Sequence, residues 1–322
     1  MATIKKKKDS FRKIDKKFAD RIKECAVYKE FYLKHKDCVI VGIRDNYINL
    51  YYNCDSIAKI NNNKDLTTNI SSYYLGLTPS KTLTKKQTDL ATQLNFQLIT
   101  SKSNERHKME KQAQEQLFLL NNSNPNSNWF CVDVEYTKSF ADSDSPEDWR
   151  FDIIAVSKSL PHRVALIELK YGDAAIGGSS GINKHIKDYY RFHTNNSYNK
   201  LLPEIISIIE SLDLLGIQLP DSLMQNHSES DFCHNPEYYF VTLDNNPIEG
   251  GKTPQMTMSG YLFNDHKWGC TRISSKVKSD GFDAVVNGDL SFRPTFLFSK
   301  EALPKLNIDD IIESNEYIIG SY

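Results

Sequence analysis

"RVALIELKYG" (residues 163–172) runs four apolar side chains, Val164 to Ile167, into a glutamate and a lysine two positions apart. Apolar residues on even and odd positions alike predict a short strand covered on both faces, as in the interior of an α/β sheet. Side chains alternate along a strand, so Glu168 and Lys170 point to the same side. A covered strand should avoid charge, and this pair therefore calls for a purpose.

The preceding apolar run, "RFDIIAVSK" (150–158), carries one acid, Asp152. Burying an unpaired carboxylate is expensive, so such a strand must supply a partner, a metal or a hydrogen-bond network. The turn "SLPH" between the two runs is short enough to make them antiparallel neighbours, which lets Asp152 and Glu168 converge at adjacent strand ends. Two carboxylates with water are the hard-oxygen set that Mg²⁺ selects. A nearby ammonium from Lys170 can neutralise a phosphate, orient an attacking water or lower its pKa. Alone, Glu-x-Lys on a strand reads as a cross-strand or edge charge pair. Its combination with Asp152 on an apolar neighbour points to a metal site.

An Asp, a turn, and Glu-x-Lys on the next strand resemble the PD-(D/E)XK nuclease superfamily, which has a restriction-endonuclease-like core. By that resemblance Asp152 and Glu168 are metal-binding acids, Lys170 is the catalytic lysine, and the Leu169 backbone carbonyl completes the coordination. Phe151 stands where the family name has proline. The family order of helix, three meandering strands, helix and further strand matches the reading of residues 101 to 244: "NERHKMEKQAQEQLFLL", "WFCVDVEY" (129–136), the two strands above, "INKHIKDYYRFH" and "EYYFVTLD" (237–244). Members also place an acid on the first helix. Met109, Ala113, Leu117 and Leu120 predict its apolar face, which sets Glu110 at the border and Glu115 on the opposite side. Asp133 and Glu135 share a strand face, and either could lie beside the metal; Glu135, nearer the strand end, is preferred. On the second helix Lys184, His185, Asp188 and Tyr189 occupy the stretch that similar enzymes turn to the phosphate, and His185 and Tyr189 share a face. Structural or surface roles remain open for Glu110, Glu135 and His185.

The rest of the chain frames this core. Its 322 residues, 39% hydrophobic, suffice for a full core and suggest two domains or one large domain with elaborations. A boundary is expected near residue 100, with 1–100 an α+β recognition or assembly module and 101–322 the nuclease-like core with a C-terminal elaboration. Residues 1–37 carry thirteen Lys/Arg against six Asp/Glu, including the run Lys5 to Lys8. Phe11, Ile14, Phe18, Ile22 and Cys25 fall at helical spacing, so the basic residues lie on the outer faces of an amphipathic helix, as a solvated surface or as an arm for phosphates. "DCVIVGIRDNYINLYYN" predicts a hairpin turning at Arg44, Asp45 and Asn46. "NNNKDLTTNISS" reads as a loop, and residues from about Thr84 to Leu120 read as helical. No apolar run is long enough for a bilayer and no signal-peptide core precedes residue 14, so a cytoplasmic protein is expected. Six cysteines without a Cys-x-x-Cys pair are expected to be reduced.

Two other motifs fail their structural requirements. "GGSSG" (177–181) has Gly-x-Ser-x-Gly spacing, but Ser179 does not leave a strand on a tight turn. "NPIEGGKT" (246–253) lacks the first Walker glycine, and Pro254 begins a poor helix. The expectation is an α/β fold, a mixed sheet flanked by helices, acting as a Mg²⁺-dependent nuclease (Mn²⁺ substituting) on nucleic acid, DNA ahead of RNA. The superfamily resemblance implies 5′-phosphate products. Restriction or host defence is the context such nucleases suggest, and the N-terminal region could mediate homo-oligomer or partner contacts. The alternative is a non-catalytic nucleic-acid-binding or scaffold protein on the same fold.

Overall fold

The computed structural model describes residues 11–139, 148–171, 182–224, 226–244, 292, 294–298 and 307–309. The stretches holding Lys5 to Lys8, Ser179 and Thr253 lie outside them. Among the described residues, two five-stranded sheets and the helices around them make an α/β protein.

Helix α1 (Lys16–Glu24) starts where Asp15 accepts the Phe18 N–H, and buries Phe18, Ala19 and Ile22 as the spacing requires. The first sheet is an antiparallel meander of β1 (Ile40–Arg44), β2 (Tyr47–Tyr52), β3 (Asp55–Asn61), β4 (Thr68–Ser71) and β5 (Thr82–Lys85). Its first hairpin turns at Asp45 and Asn46, with Asn46 left-handed. The stretch expected as a loop holds the end of β3 and all of β4. Its cause is period-two alternation: Thr68 and Ile70 are buried while Asn69 and Ser71 face outward. The expected helical segment likewise opens on the edge strand β5 and then breaks into α2 (Gln87–Ala91), α3 (Phe96–Asn104) and α4 (Met109–Ser123).

The second sheet has the order β10-β9-β8-β7-β6. Strands β6 (Trp129–Ser139), β7 (Asp148–Ser157) and β8 (Val164–Tyr171) pair antiparallel through their short connections. Strands β9 (Glu237–Leu243) and β10 (Thr295–Phe298) then add in parallel. The quoted strand is covered on both faces, Val164 to Lys170 all buried. Helix α4 packs on one face, with Ala113 and Leu117 against Val134, Ile153 and Ile167. On the other face lie α5 (Ile182–Thr194) and α6 (Tyr198–Leu214). The apolar run "LLPEIISIIESLDLL" forms most of α6, and Leu201, Ile205, Ile208 and Ile209 in it are buried. Residues of α1, β1–β4 and the second sheet join one hydrophobic cluster, so side chains from both sides of residue 100 share a core. Among the described residues no helix is long and apolar enough to cross a membrane, and five cysteines are free thiols.

Candidate active site

The β7–β8 ladder runs from Val156↔Val164 to Ile153↔Ile167 and ends there. One step further Asp152 would face Glu168. Instead the Leu169 N–H donates to Asp152 Oδ2 at 2.7 Å, so a side chain replaces the next ladder bond. Glu168 and Lys170, 2% and 7% exposed, meet as their shared strand face requires: Lys170 Nζ donates to Glu168 Oε1 at 2.6 Å. The same oxygen lies 3.0 Å from His185 Nε2 on α5. Asp152, Glu168, Lys170 and His185 therefore come together where two strands part.

The other expected residues divide. Glu110, in the first turn of α4 and half-buried, lies close enough to influence the charge states of Asp152, Glu168 and Lys170. Glu135 falls between the pairs Val134↔Ile153 and Tyr136↔Phe151, opposite Asp152, and Lys111 Nζ sits 3.0 Å from its carboxylate. It adopts a left-handed backbone with φ of 53°, which costs a bulky residue about 1–3 kcal/mol. Asp133 is fully buried between two guanidinium groups, 2.7 Å from Arg12 and 2.7 Å from Arg44. Lys184 is exposed on α5. Tyr189 is buried under the site against Phe151 and Phe240, not turned to solvent, and its hydroxyl has no hydrogen-bond partner among the described residues. Glu115 is a correction. It is 3% exposed, because the β2–β3 turn covers that side of α4 and the Cys54 N–H donates to Glu115 Oε2 at 2.7 Å.

The electrostatics are those of carboxylates with too few cations. Desolvation pushes the Asp152 carboxyl up to about 7, although the residue keeps part of its surface exposed; Lys170 and the Leu169 N–H oppose that rise, and Glu135 and Glu110 add to it. Burial and Asp152 hold Glu168 well above the usual carboxylate range despite the Lys170 contact. Burial alone would lower Lys170, but Glu168, Asp152 and Glu110 outweigh it and keep the ammonium charged. Two desolvated carboxylates and the neighbouring Leu169 carbonyl suit Mg²⁺, which binds through one or two carboxylates and keeps its waters. Among the described residues no three His, Cys, Asp or Glu groups are gathered as a ready metal cage.

Sequence reading missed Arg12, Arg44 and Lys111. One signal was available for Arg44: Gly42 interrupts a β-rich run, and glycine inside a strand marks a close approach. A Cβ there would come 2.7 Å from the Tyr51 ring and 3.0 Å from Arg44 Nη2. A separate cleft of about 900 Å³ lies between residues 32–41, α4 and the end of α6, and none of Glu110, Glu135, Asp152, Glu168 or Lys170 lines it. Comparison of the chain with protein-family models, with curated proteins and with solved structures gave no match.

Proposed function

We propose that this chain is a Mg²⁺-dependent nuclease with a restriction-endonuclease-like core, hydrolysing phosphodiester bonds of nucleic acid, DNA ahead of RNA. The observation that carries the reading is the meeting of Asp152, Glu168 and Lys170 at the point where the β7–β8 ladder gives way. The order α4, three antiparallel strands, the helices α5 and α6, and a parallel strand supports it. Held by Asp152, Glu168 and the Leu169 carbonyl, the divalent ion, Mg²⁺ or Mn²⁺, would supply Lewis acidity and a water of lowered pKa. Lys170 is placed to move from Glu168 Oε1 to a phosphate oxygen or an attacking water. His185 keeps a second hold on that carboxylate. Lys184, exposed on the same helix, is available to the phosphate backbone.

One observation favours the non-catalytic alternative. Glu168 Oε1 already receives Lys170 and His185, an arrangement that would also serve a purely structural ion pair. Incubation with plasmid, linear duplex, single-stranded DNA and RNA, in Mg²⁺, Mn²⁺ or EDTA, separates the two. The nuclease reading expects metal-dependent cleavage leaving 5′-phosphates, lost in folded Asp152→Ala, Glu168→Ala and Lys170→Ala. Full cleavage in EDTA, or by folded Glu168→Ala protein, sinks it; binding without cleavage in any metal supports the scaffold.

A further inference from the structure

Regular alternation cannot explain strand β6. Val134 packs with Ala113 and Leu117 on the α4 side, and Glu135 also reaches α4, through Lys111. Consecutive strand residues should point to opposite faces. The left-handed conformation of Glu135, together with a register break between Cys131 and Asp133, makes the exception possible.

Two arginines hold this irregular backbone from outside the second sheet. Arg44, at the end of β1, donates to Asp133 Oδ1 at 2.7 Å and to the Val134 carbonyl at 2.8 Å. Arg12, ahead of α1, donates to Asp133 Oδ2 at 2.7 Å and to the Thr137 carbonyl at 2.7 Å. Asp133 Oδ1 also accepts the Val134 N–H at 2.9 Å. The Val134 and Thr137 carbonyls, which bracket Glu135, are thus tied to one buried carboxylate and its two guanidinium groups. Each arginine is oriented in turn: Arg44 donates to the Tyr51 hydroxyl at 2.8 Å, and the Arg12 guanidinium stacks 3.9 Å over the Tyr136 ring. Buried ion pairs of this kind add little stability over apolar packing, so geometric control accounts for the network better than stabilisation does.

We propose that Arg44 and Arg12 are positioning residues for Glu135, and that the N-terminal region thereby completes the candidate active site by presenting a third carboxylate opposite Asp152. This inference rests on the metal-site reading. It assigns Lys111 as the counter-ion that holds Glu135 until a divalent cation replaces it.

The test is Mn²⁺ binding to the full chain, measured calorimetrically without nucleic acid, for the parent, Glu135→Gln, Arg44→Lys and the double variant, with circular dichroism as the check on folding. Lysine keeps the charge but cannot fork between Asp133 and the Val134 carbonyl. Each single substitution is expected to weaken Mn²⁺ binding about 10-fold, in the range of partners that orient a ligand. The double variant should be no weaker than Glu135→Gln, because Arg44 acts only through Glu135. If Arg44→Lys fails to fold, Tyr51→Phe replaces it in the same cycle, with a smaller factor and the same non-additivity. Additive losses, or an unchanged affinity in Arg44→Lys or its Tyr51→Phe replacement, would overturn the inference and leave the metal site standing. A parent chain that binds no Mn²⁺ overturns both.

Discussion

Two charge clusters lie on the same sheet, one buried and one half-buried, and they are built on opposite principles. Around Asp133 and Glu204, three cations close in: Arg12 and Arg44 on the first acid, Arg12 and Lys138 on the second. A few residues away Glu110, Glu135, Asp152 and Glu168 share Lys111 and Lys170, with His185 as a titratable addition. The first cluster satisfies its charges internally. The second leaves carboxylates pushed up from their usual range, with Asp152 at about 7. Balance marks structure, and a deficit of positive charge marks a place where something positive is expected to arrive.

The largest expected effect tests the deficit. Asp152→Asn retains an acceptor for the Leu169 N–H, and Glu168→Gln retains one for Lys170, while each removes one member of a like-charge pair. Both should lower metal-dependent cleavage by on the order of 10³-fold, about 4 kcal/mol at the transition state, with thermal stability unchanged or raised. A clear fall in melting temperature for both would mean that this cluster, too, is structural.

The balanced cluster should respond in the reverse way. Asp133→Ala leaves Arg12 and Arg44 buried without their shared carboxylate, so unfolding free energy should drop by about 3–5 kcal/mol. Denaturant titration measures it. A loss below about 1 kcal/mol would show that the network contributes no more than an exposed ion pair.

How far each cluster could be read in advance follows from the distance over which its parts are encoded. Glu168 and Lys170 are two residues apart on a strand whose apolar run declares it covered, and Asp152 is one turn away on its neighbour, so local pattern sufficed. Strands β6 to β9 and helix α5 were legible for the same reason. Asp133 and its arginines are separated by 121 and 89 positions, and no local period links them; only Gly42 hinted that something large passes over β1. The burial of Glu115 escaped because helical periodicity describes one partner face, whereas α4 is covered on two. Strand β4 was hidden by composition, since its polar Asn and Ser alternate with two buried residues.

Glu115 lies between these two cases. It is buried and accepts the Cys54 N–H, and burial raises its carboxyl to about 7, with Asp55 adding to the rise. The folded state therefore keeps a proton that the unfolded chain releases near its ordinary pKa of 4.5. Stability should be greatest below that value and fall as the pH rises through 7, by about 3 kcal/mol in all. Glu115→Gln should flatten this slope and be the more stable protein at pH 8. Parallel stability–pH profiles for parent and variant would show that Glu115 has another cation to answer to.

The smallest effect concerns what fills the deficit. A divalent cation that binds the folded chain and not the unfolded one stabilises it by mass action, about 1.4 kcal/mol at ten times its dissociation constant. Melting curves in Mg²⁺, with ionic strength held constant, should rise accordingly for the parent. The rise should vanish in Asp152→Asn and Glu168→Gln, which lose the carboxylates that would hold the ion, and persist in Glu115→Gln, because in the parent Glu115 already has its partner in the Cys54 N–H. Equal rises in all four proteins would mean that Mg²⁺ acts on surface charge in general. These carboxylates would then be under-compensated for a reason other than a metal, and the contrast between the two clusters would lose its functional meaning.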